Sequence, residues 1–460
     1  MDYDNKTGLE TDRIDAEDIA LMQKPEMLSL LGCLRKKVLR PSLFQAGAVI
    51  ADQGFCSIVN FLTGVLVARA CTKSEYGVFV LGMTILRFMT GLQNSLVSVP
   101  YTIHYPRCKD DSRATYLGST LVHQLVICIL TAIGFFAASR FFAWRGAEEA
   151  MVSTMFMLSV ASTAFMIREF IRLVMLAELR VWLNLAMSLF VNVATIAAIF
   201  IAYNTENLNS ASAYLVIAVC SGVPALIVIG IYWQKMALVS ERIMVDFKDN
   251  FHLGKWLVAR SFANMGAVSI YPIALASFYG TAQAGVYGAC FQLASLLNPI
   301  FMGLNIFLRP KFSHLVVNSP HAVNRLVLRL TGLLAVLLGL VFFVMLLVGN
   351  WAMIRLYGQD YDGYRTILLV CILAVSASVL SSPVSVAIDA RKQTHITFKG
   401  RMIAAIFSLT IGLVCVWQYG VLGAAVSLFI AHAITCSYLF IVIACTNNTK
   451  SSPLLTNEKP

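Results

Sequence analysis

Charged residues inside apolar stretches are the residues of this chain best placed to do chemistry. Asp52 and Arg260 occupy matched positions in two copies of one motif, because a shift of about 208 residues also places Gly77 on Gly285. A charge at the centre of a bilayer costs roughly 2.5–3.5 kcal/mol on insertion scales, so such a residue usually serves a site or a buried pair. We predict that Asp52 and Arg260 form an ion pair, which either locks two halves of the protein together or acts as a gate.

Four further charged residues are candidates. Arg87 lies near the middle of an apolar stretch, where it either lines a substrate cavity or pairs with a carboxylate. Arg168 and Arg172 share one helix face, and Glu169 is within reach of Arg172. Guanidinium groups bind phosphate bidentately. The sequence therefore predicts substrate binding by Arg87, Arg168, Arg172 and Arg260, and gating ion pairs by Asp52, Arg260 and Glu169. For Arg168 and Arg172 the alternative is that they reach out to the lipid headgroups.

The composition requires a membrane to position these residues. Of the 460 residues, 58% are hydrophobic and only 13% are charged, and the mean hydropathy is +0.75. A soluble protein has roughly a quarter of its residues charged. The net charge of +11 comes largely from short loops between apolar stretches, which favours anionic membrane lipids as partners. No basic segment interleaved with aromatic residues suggests nucleic acid as a partner.

About twelve stretches reach the roughly 20 apolar residues that a spanning helix needs. They lie near 43–68, 77–100, 117–139, 150–174, 182–203, 212–233, 254–278, 285–308, 327–349, 365–388, 399–418 and 421–444. Most of the 35 Lys and Arg residues fall in the tails and in alternate loops. The positive-inside rule then places both termini in the cytoplasm.

The pattern predicts an all-α polytopic membrane protein with about twelve transmembrane helices in two six-helix bundles. Because each bundle has an even number of spans, the repeat is parallel, about an axis along the membrane normal. The expected domains are a disordered acidic cytoplasmic tail (1–25), an amphipathic interfacial helix or basic flank (26–42), an N-terminal bundle (43–234), a cytoplasmic inter-bundle loop (235–252), a C-terminal bundle (253–445) and a cytoplasmic tail (446–460).

Signals for enzymes and metals are not found in the sequence. The eleven cysteines form no CxxC pair, so we expect neither disulfide bonds nor a zinc site. Motifs for nucleotide, serine-hydrolase and metallohydrolase chemistry do not occur. We therefore expect no catalytic residue, no metal and no cofactor. His123 and His432 lie in apolar stretches, where packing is favoured over a proton relay.

Two segments resemble the bacterial polysaccharide-type flippases, the O-antigen and exopolysaccharide translocases of the multidrug/oligosaccharidyl-lipid/polysaccharide (MOP) transporter superfamily. The first is the series Asp52-Gln53-Gly54, Asn60-Phe61-Leu62, Ala68-Arg69, Glu75-Tyr76-Gly77 and Phe79, and the second is the series Gly280-Thr281-Ala282, Gly285-Val286-Tyr287 and Leu297-Asn298-Pro299. The resemblance covers roughly 43–110 and 250–315 in detail. It implies a MATE-like, V-shaped transporter with a cationic central cavity, located in the bacterial inner membrane.

The same resemblance implies that the protein flips an undecaprenyl-diphosphate-linked oligosaccharide from the inner to the outer leaflet by alternating access. H+ or Na+ would be the coupling ion, and a polysaccharide polymerase or co-polymerase would be a further partner. One alternative is a multidrug cation antiporter of the same superfamily, although the buried charges here are mostly arginine. A membrane-embedded polysaccharide polymerase or ligase is the other, and the short external loops disfavour it.

Overall fold

Long apolar helices follow one another along the chain, as the apolar stretches predict. The computed structural model describes residues 51–233, 236–298, 320–391 and 393–448, with six isolated positions between 47 and 316. Three predicted segments lie outside the described residues: the tail at 1–25, the amphipathic interfacial helix or basic flank at 26–42, and nearly all of the tail at 446–460. The described chain from residue 51 onward belongs to one compact unit.

Within these ranges the chain forms helices and no strands. The elements of the first half are α1 (Ala51–Ala70), α2 (Lys73–Arg107), α3 (Asp110–Trp144), α4 (Glu149–Ala177), α5 (Val181–Asn204) and α6 (Ser210–Trp233). Those of the second half are α7 (Ser240–Tyr279), α8 (Thr281–Ala294), α9 (Pro320–Tyr357), α10 (Arg365–Ala390), α11 (394–419) and α12 (421–448).

These helices confirm the prediction of an all-α polytopic membrane protein. Ten described helices are long and apolar enough to cross a membrane. The last of them contains Gly420 with φ 55° and ψ −131°, a left-handed conformation that favours glycine, and this turn separates α11 from α12. α8 is shorter and ends at Ala294, where a 3-10 turn at Ser295–Leu297 follows. Large apolar side chains such as Leu130 and Val336 are exposed on the outer helix faces, as contact with lipid requires.

Helices α2 and α8 cross at a point where both helices carry glycine. A Cβ added to Gly77 would lie 1.8 Å from the Thr281 carbonyl oxygen, and one added to Gly285 would lie 2.4 Å from the Lys73 carbonyl oxygen. The two contacts are equivalent under the shift of about 208 residues, which carries Lys73 to Thr281 and Gly77 to Gly285. The repeat seen in the sequence is therefore a two-fold contact in space, in which each helix meets its own counterpart.

The motif Glu75-Tyr76-Gly77 is explained by three separate contacts at this end of the bundle. The Glu75 carboxylate accepts a hydrogen bond from the backbone N–H of Ser210 at 3.0 Å, which caps the first turn of α6. The Tyr76 hydroxyl donates to Gln292 Oε1 of α8 at 2.8 Å. Gly77 supplies the crossing point. Glu75 thus joins α2 to α6, while Tyr76 and Gly77 join it to α8. We name this side of the protein the Lys73 end and the opposite side the Arg107 end.

The predicted inter-bundle loop at 235–252 is wrong in one respect, because α7 begins at Ser240. Its charged residues resemble a loop in sequence, but Asp246 and Asn250 are buried against α3. Tyr116 donates to Asn250 Oδ1 at 2.7 Å, and Ser119 donates to the Asp246 carboxylate. These hydrogen bonds satisfy polar groups that otherwise would favour water, so the segment stays helical.

We expect Gly77→Ala and Gly285→Ala to destabilise the protein. A methyl group at either position forces α2 and α8 apart, and overpacking of this kind costs about 1–3 kcal/mol. The thermal unfolding midpoint of the purified protein should fall in both variants. Gly134→Ala and Gly332→Ala are matched controls, because a Cβ there has no neighbour within 4 Å. An equal midpoint in all four variants would contradict the close crossing.

Candidate functional site

A central cavity of about 750 Å³ lies between the two bundles. Its walls come mainly from α1 and α2 of the first half and from α7, α8 and α11 of the second half. Helices α2 and α7 each contain a π-helical turn where they line it, at Asn94–Ser98 and Met265–Ser269. Turns of this type release backbone groups from the regular α-helical pattern and often occur at functional sites.

Three arginines line this cavity, and they are its only charged residues among those described: Arg87 of α2, Arg260 of α7 and Arg401 of α11. Neither Arg87 nor Arg260 forms an ion pair or a hydrogen bond with the described chain, and both side chains are solvent-accessible. Because no carboxylate lies in the lining, their charges are not compensated there. The cavity therefore attracts anions and repels cations.

The remaining polar lining consists of amides and hydroxyls, including Asn60, Asn94, Asn264, Asn298, Gln292, Ser57, Thr63, Thr84, Ser261 and Ser295. Aromatic rings alternate with them, among them Phe61, Phe88 and Phe291. Amides and hydroxyls both donate and accept hydrogen bonds, and ring faces offer apolar contact. This combination suits a polyhydroxylated headgroup that also carries a negative charge.

Arg87 and Arg260 both line the cavity, which is one of the two alternatives that the sequence leaves open for Arg87. The predicted pairing of Asp52 with Arg260 is not present in the described residues. Asp52 is only 1% exposed and faces the interior of the first bundle, where Cys56 contacts its carboxylate at 3.9 Å. Cys56 in turn contacts Asn192 of α5 at 3.0 Å. The two matched positions therefore differ in their surroundings. Asp52 of α1 faces the interior of its own bundle, whereas Arg260 of α7 faces the cavity.

Arg168 and Arg172 also lie outside the cavity lining. Glu169 bonds both of them, at 2.6 Å to Arg168 and at 3.0 Å to Arg172, so the predicted contact of Glu169 with Arg172 is present. Asp52 adds an electrostatic interaction with Arg172. Glu169 and its two arginines are ion-paired, whereas Asp52 makes no ion pair with the described residues and acts on Arg172 only electrostatically. This arrangement is an internal charge cluster of α1 and α4.

Arg401 was not predicted as a site residue, because it stands at the very start of the apolar stretch 399–418, among basic residues typical of a loop. Helix α11 begins at Thr394, so Arg401 lies about two turns inside it and reaches the cavity. Its position after Lys399 in the sequence gave the appearance of a membrane-interface anchor. Gln292 was missed for another reason, because its contacts are with residues that are distant in sequence.

The cavity is closed at the Lys73 end by contacts between the two bundles. Gln292 of α8 accepts from Tyr76 and donates to the Asn60 carbonyl oxygen of α1 at 3.1 Å. Ser74 and Thr281 share a hydrogen bond of 2.6 Å. Arg69 at the end of α1 donates from Nε to the Leu356 carbonyl oxygen of α9 at 2.8 Å. With the glycine crossing, these contacts leave Tyr76 and Tyr287 almost fully buried.

The two intramembrane histidines have different surroundings. His123 of α3 is hydrogen-bonded through Nε2 to the Ile243 carbonyl oxygen of α7 at 2.9 Å, which is a packing role. His432 of α12 lies in a side chamber beside Arg401.

The sequence was compared with known families and structures. A profile described as "Polysaccharide biosynthesis protein" matches residues 66–366, which is more than half of the chain. The chain belongs to this family. No curated protein gives a significant sequence match.

Solved structures show the same fold at low identity. An inward-facing multidrug resistance MATE family transporter of the MOP superfamily matches with a TM-score of 0.69 and 13% identity, covering 86% of this chain and 96% of that one. The lipid II flippase MurJ in an inward closed conformation matches with a TM-score of 0.62 and 14% identity, covering 87% of each chain. A mutant of the Vibrio cholerae MATE transporter VcmN matches with a TM-score of 0.60 and 13% identity, covering 90% of this chain and 98% of that one. This chain therefore shares the fold of these transporters, and the predicted all-α, MATE-like fold is confirmed. The family profile agrees with the predicted resemblance to polysaccharide-type proteins.

The electrostatic interaction of Asp52 with Arg172 predicts that substitutions at these two residues are coupled in their effect on stability. Arg172→Gln leaves two carboxylates with one remaining guanidinium, and an uncompensated buried charge costs about 3–5 kcal/mol. Asp52→Asn in the same chain should recover part of the lost thermal stability, which gives a coupling in a double-mutant cycle. The matched control is the cycle of Asp52→Asn with Arg260→Gln, where we expect additive changes. Coupling in the second cycle and not in the first would restore the predicted Asp52–Arg260 pair.

Proposed function

We propose that this protein flips a lipid-linked oligosaccharide, joined to an undecaprenyl-type lipid through a diphosphate, across the bacterial inner membrane. The observation that carries the proposal is the cavity with three arginines and no carboxylate in its described lining. A diphosphate presents several anionic oxygens, which guanidinium groups bind with charge-assisted hydrogen bonds. The product would serve O-antigen, exopolysaccharide or related surface polysaccharide synthesis, in agreement with the family of the chain.

Each part of the lining has a role in this proposal. Arg87, Arg260 and Arg401 bind the diphosphate, while the amides and hydroxyls around them bind the sugar hydroxyls. Since the three arginines belong to α2, α7 and α11, a bound diphosphate draws both bundles towards one ligand. That differential contact is what a transporter needs in order to couple binding to a conformational change.

We assign the Arg107 end to the cytoplasm, because most loops rich in Lys and Arg lie on that side. The contacts at the Lys73 end then close the cavity towards the outside, and the structure corresponds to an inward-facing state. Both termini are cytoplasmic in this orientation. To release the sugar outside, the glycine crossing and the Gln292 contacts must separate while the Arg107 end closes. An ion gradient of H+ or Na+ would drive the cycle, and a polysaccharide polymerase or co-polymerase would receive the product.

A multidrug cation antiporter is the second candidate, and the likeness in fold to a MATE transporter favours it. An organic cation would meet only positive charges in the described lining. Such a substrate needs carboxylates, and the buried carboxylates Asp52 and Glu169 face the first bundle. The two functions therefore predict opposite substrate charges.

Arg87→Gln, Arg260→Gln and Arg401→Gln should each reduce surface polysaccharide in a strain that depends on this gene. Loss of one charge-assisted contact lowers the rate of export by roughly 10–100-fold. Lipid-linked oligosaccharide should accumulate in the cytoplasmic leaflet while the level of the protein in the membrane stays normal. Arg145→Gln is the control, because Arg145 is exposed at the Lys73 end and away from the cavity. Normal export in all three cavity variants would remove them from the binding site.

Alternating access is tested at the Lys73 end. Ser74→Cys with Thr281→Cys should form a disulfide, because the two hydroxyl oxygens are 2.6 Å apart. The bond fixes the closed outer end, so export stops under oxidising conditions and returns after reduction. Each single cysteine variant serves as the control. Full export by the cross-linked protein would show that this end does not open during transport.

A further inference from the structure

A second chamber adjoins the central cavity inside the second bundle. It has a volume of about 90 Å³ and is enclosed by α7, α10, α11 and α12. Asn264, Val268 and Arg401 line both spaces, so the guanidinium of Arg401 lies at their boundary. Since a water molecule takes about 30 Å³ in the liquid, the chamber has room for one small ion with one or two waters and not for a sugar diphosphate.

The described lining of the chamber presents donors and no carboxylate. Arg401 and His432 are its only charged or titratable residues. Neither side chain has a hydrogen bond or an ion pair in the described part of the chain. The hydroxyls of Ser378 and Ser385 line the chamber and likewise make no hydrogen bond there. These groups are accessible from the chamber, so their donors require a ligand or water.

Three other hydroxyls of the chamber are already engaged. Ser381 donates to the Ser378 carbonyl oxygen at 2.6 Å, Thr397 to the Thr394 carbonyl oxygen at 2.8 Å, and Thr435 to the Ala431 carbonyl oxygen at 3.2 Å. Thr397 also donates to the Asp389 carboxylate at 3.3 Å, and Asp389 interacts electrostatically with Arg401 from outside the described lining. Within the chamber a cation would meet the Arg401 guanidinium, whereas an anion would receive donors from α10, α11 and α12.

We propose that this chamber is a binding site for one small inorganic anion of the halide type, held by Arg401 and His432 with help from Ser378 and Ser385. The bound anion compensates Arg401 when the central cavity is empty. Because Arg401 also faces the cavity, the anion and a ligand in the cavity compete for the same guanidinium. The binding itself does not depend on the proposed flippase activity.

Chloride is the probe, added as sodium chloride to the purified full-length protein with sodium gluconate holding the ionic strength constant. Chloride-35 NMR line broadening should report saturable binding by the native protein. Arg401→Gln should weaken the affinity by about 10-fold or more, because a charge-assisted contact is lost. His432→Gln should weaken it several-fold. Arg401→Lys keeps the charge and should retain measurable binding, which guards against a fold lost in Arg401→Gln.

Arg87→Gln separates the chamber from the central cavity. Chloride binding should survive this substitution, since Arg87 lines the cavity and not the chamber. Loss of binding in Arg87→Gln with normal binding in His432→Gln would place the anion in the cavity and overturn the proposal. The absence of saturable binding by the native protein would also overturn it. Because none of these measurements involves transport, a failed flippase assay would leave the result for the chamber standing.

Discussion

The structure depends on the close crossing of α2 and α8, where Gly77 and Gly285 leave no space for a methyl group. In a membrane, lipid tails are as apolar as leucine, so helices associate through close packing and hydrogen bonds between small residues. The crossing holds the two bundles together on their pseudo-symmetry axis. It also fixes Tyr76 and Gln292 in register, so that one contact serves both the assembly of the halves and the closure of the cavity at one end.

The buried charges of the first bundle and those of the central cavity have different surroundings. The first bundle encloses Arg168, Glu169 and Arg172 of α4 as ion pairs, with Asp52 of α1 interacting electrostatically with Arg172. In the cavity between the bundles Arg87, Arg260 and Arg401 make no ion pair with the described residues, and Asp389 interacts with Arg401 only from outside the described lining. An uncompensated charge in a membrane protein is costly and persists where a ligand supplies the counter-charge. This difference separates the stabilising residues of the fold from those that we propose to bind substrate.

Most of the fold was predictable from the sequence, because twelve apolar stretches and a repeat of about 208 residues are local or periodic signals. The sequence narrowed Arg87 to two alternatives, a cavity or a buried pair, because an arginine in mid-span is costly without either, but it could not choose between them. The partners of Asp52 were not, because matched positions in a repeat need not face the same side of their helices. Arg401 and the helix at Ser240 were missed for a related reason: charge near a span end resembles a loop unless its burial is known.

If the unpaired arginines of the cavity select an anionic, diphosphate-linked headgroup, transport by the reconstituted protein must depend on them. The protein is placed in liposomes that carry a fluorescent undecaprenyl-diphosphate oligosaccharide, and its transfer between leaflets is followed by accessibility to an external glycosidase. The account predicts transfer that depends on the protein and that is lost when Arg87, Arg260 and Arg401 are all changed to glutamine. Equal transfer by the triple variant, or transport of an organic cation in place of the saccharide, would contradict it.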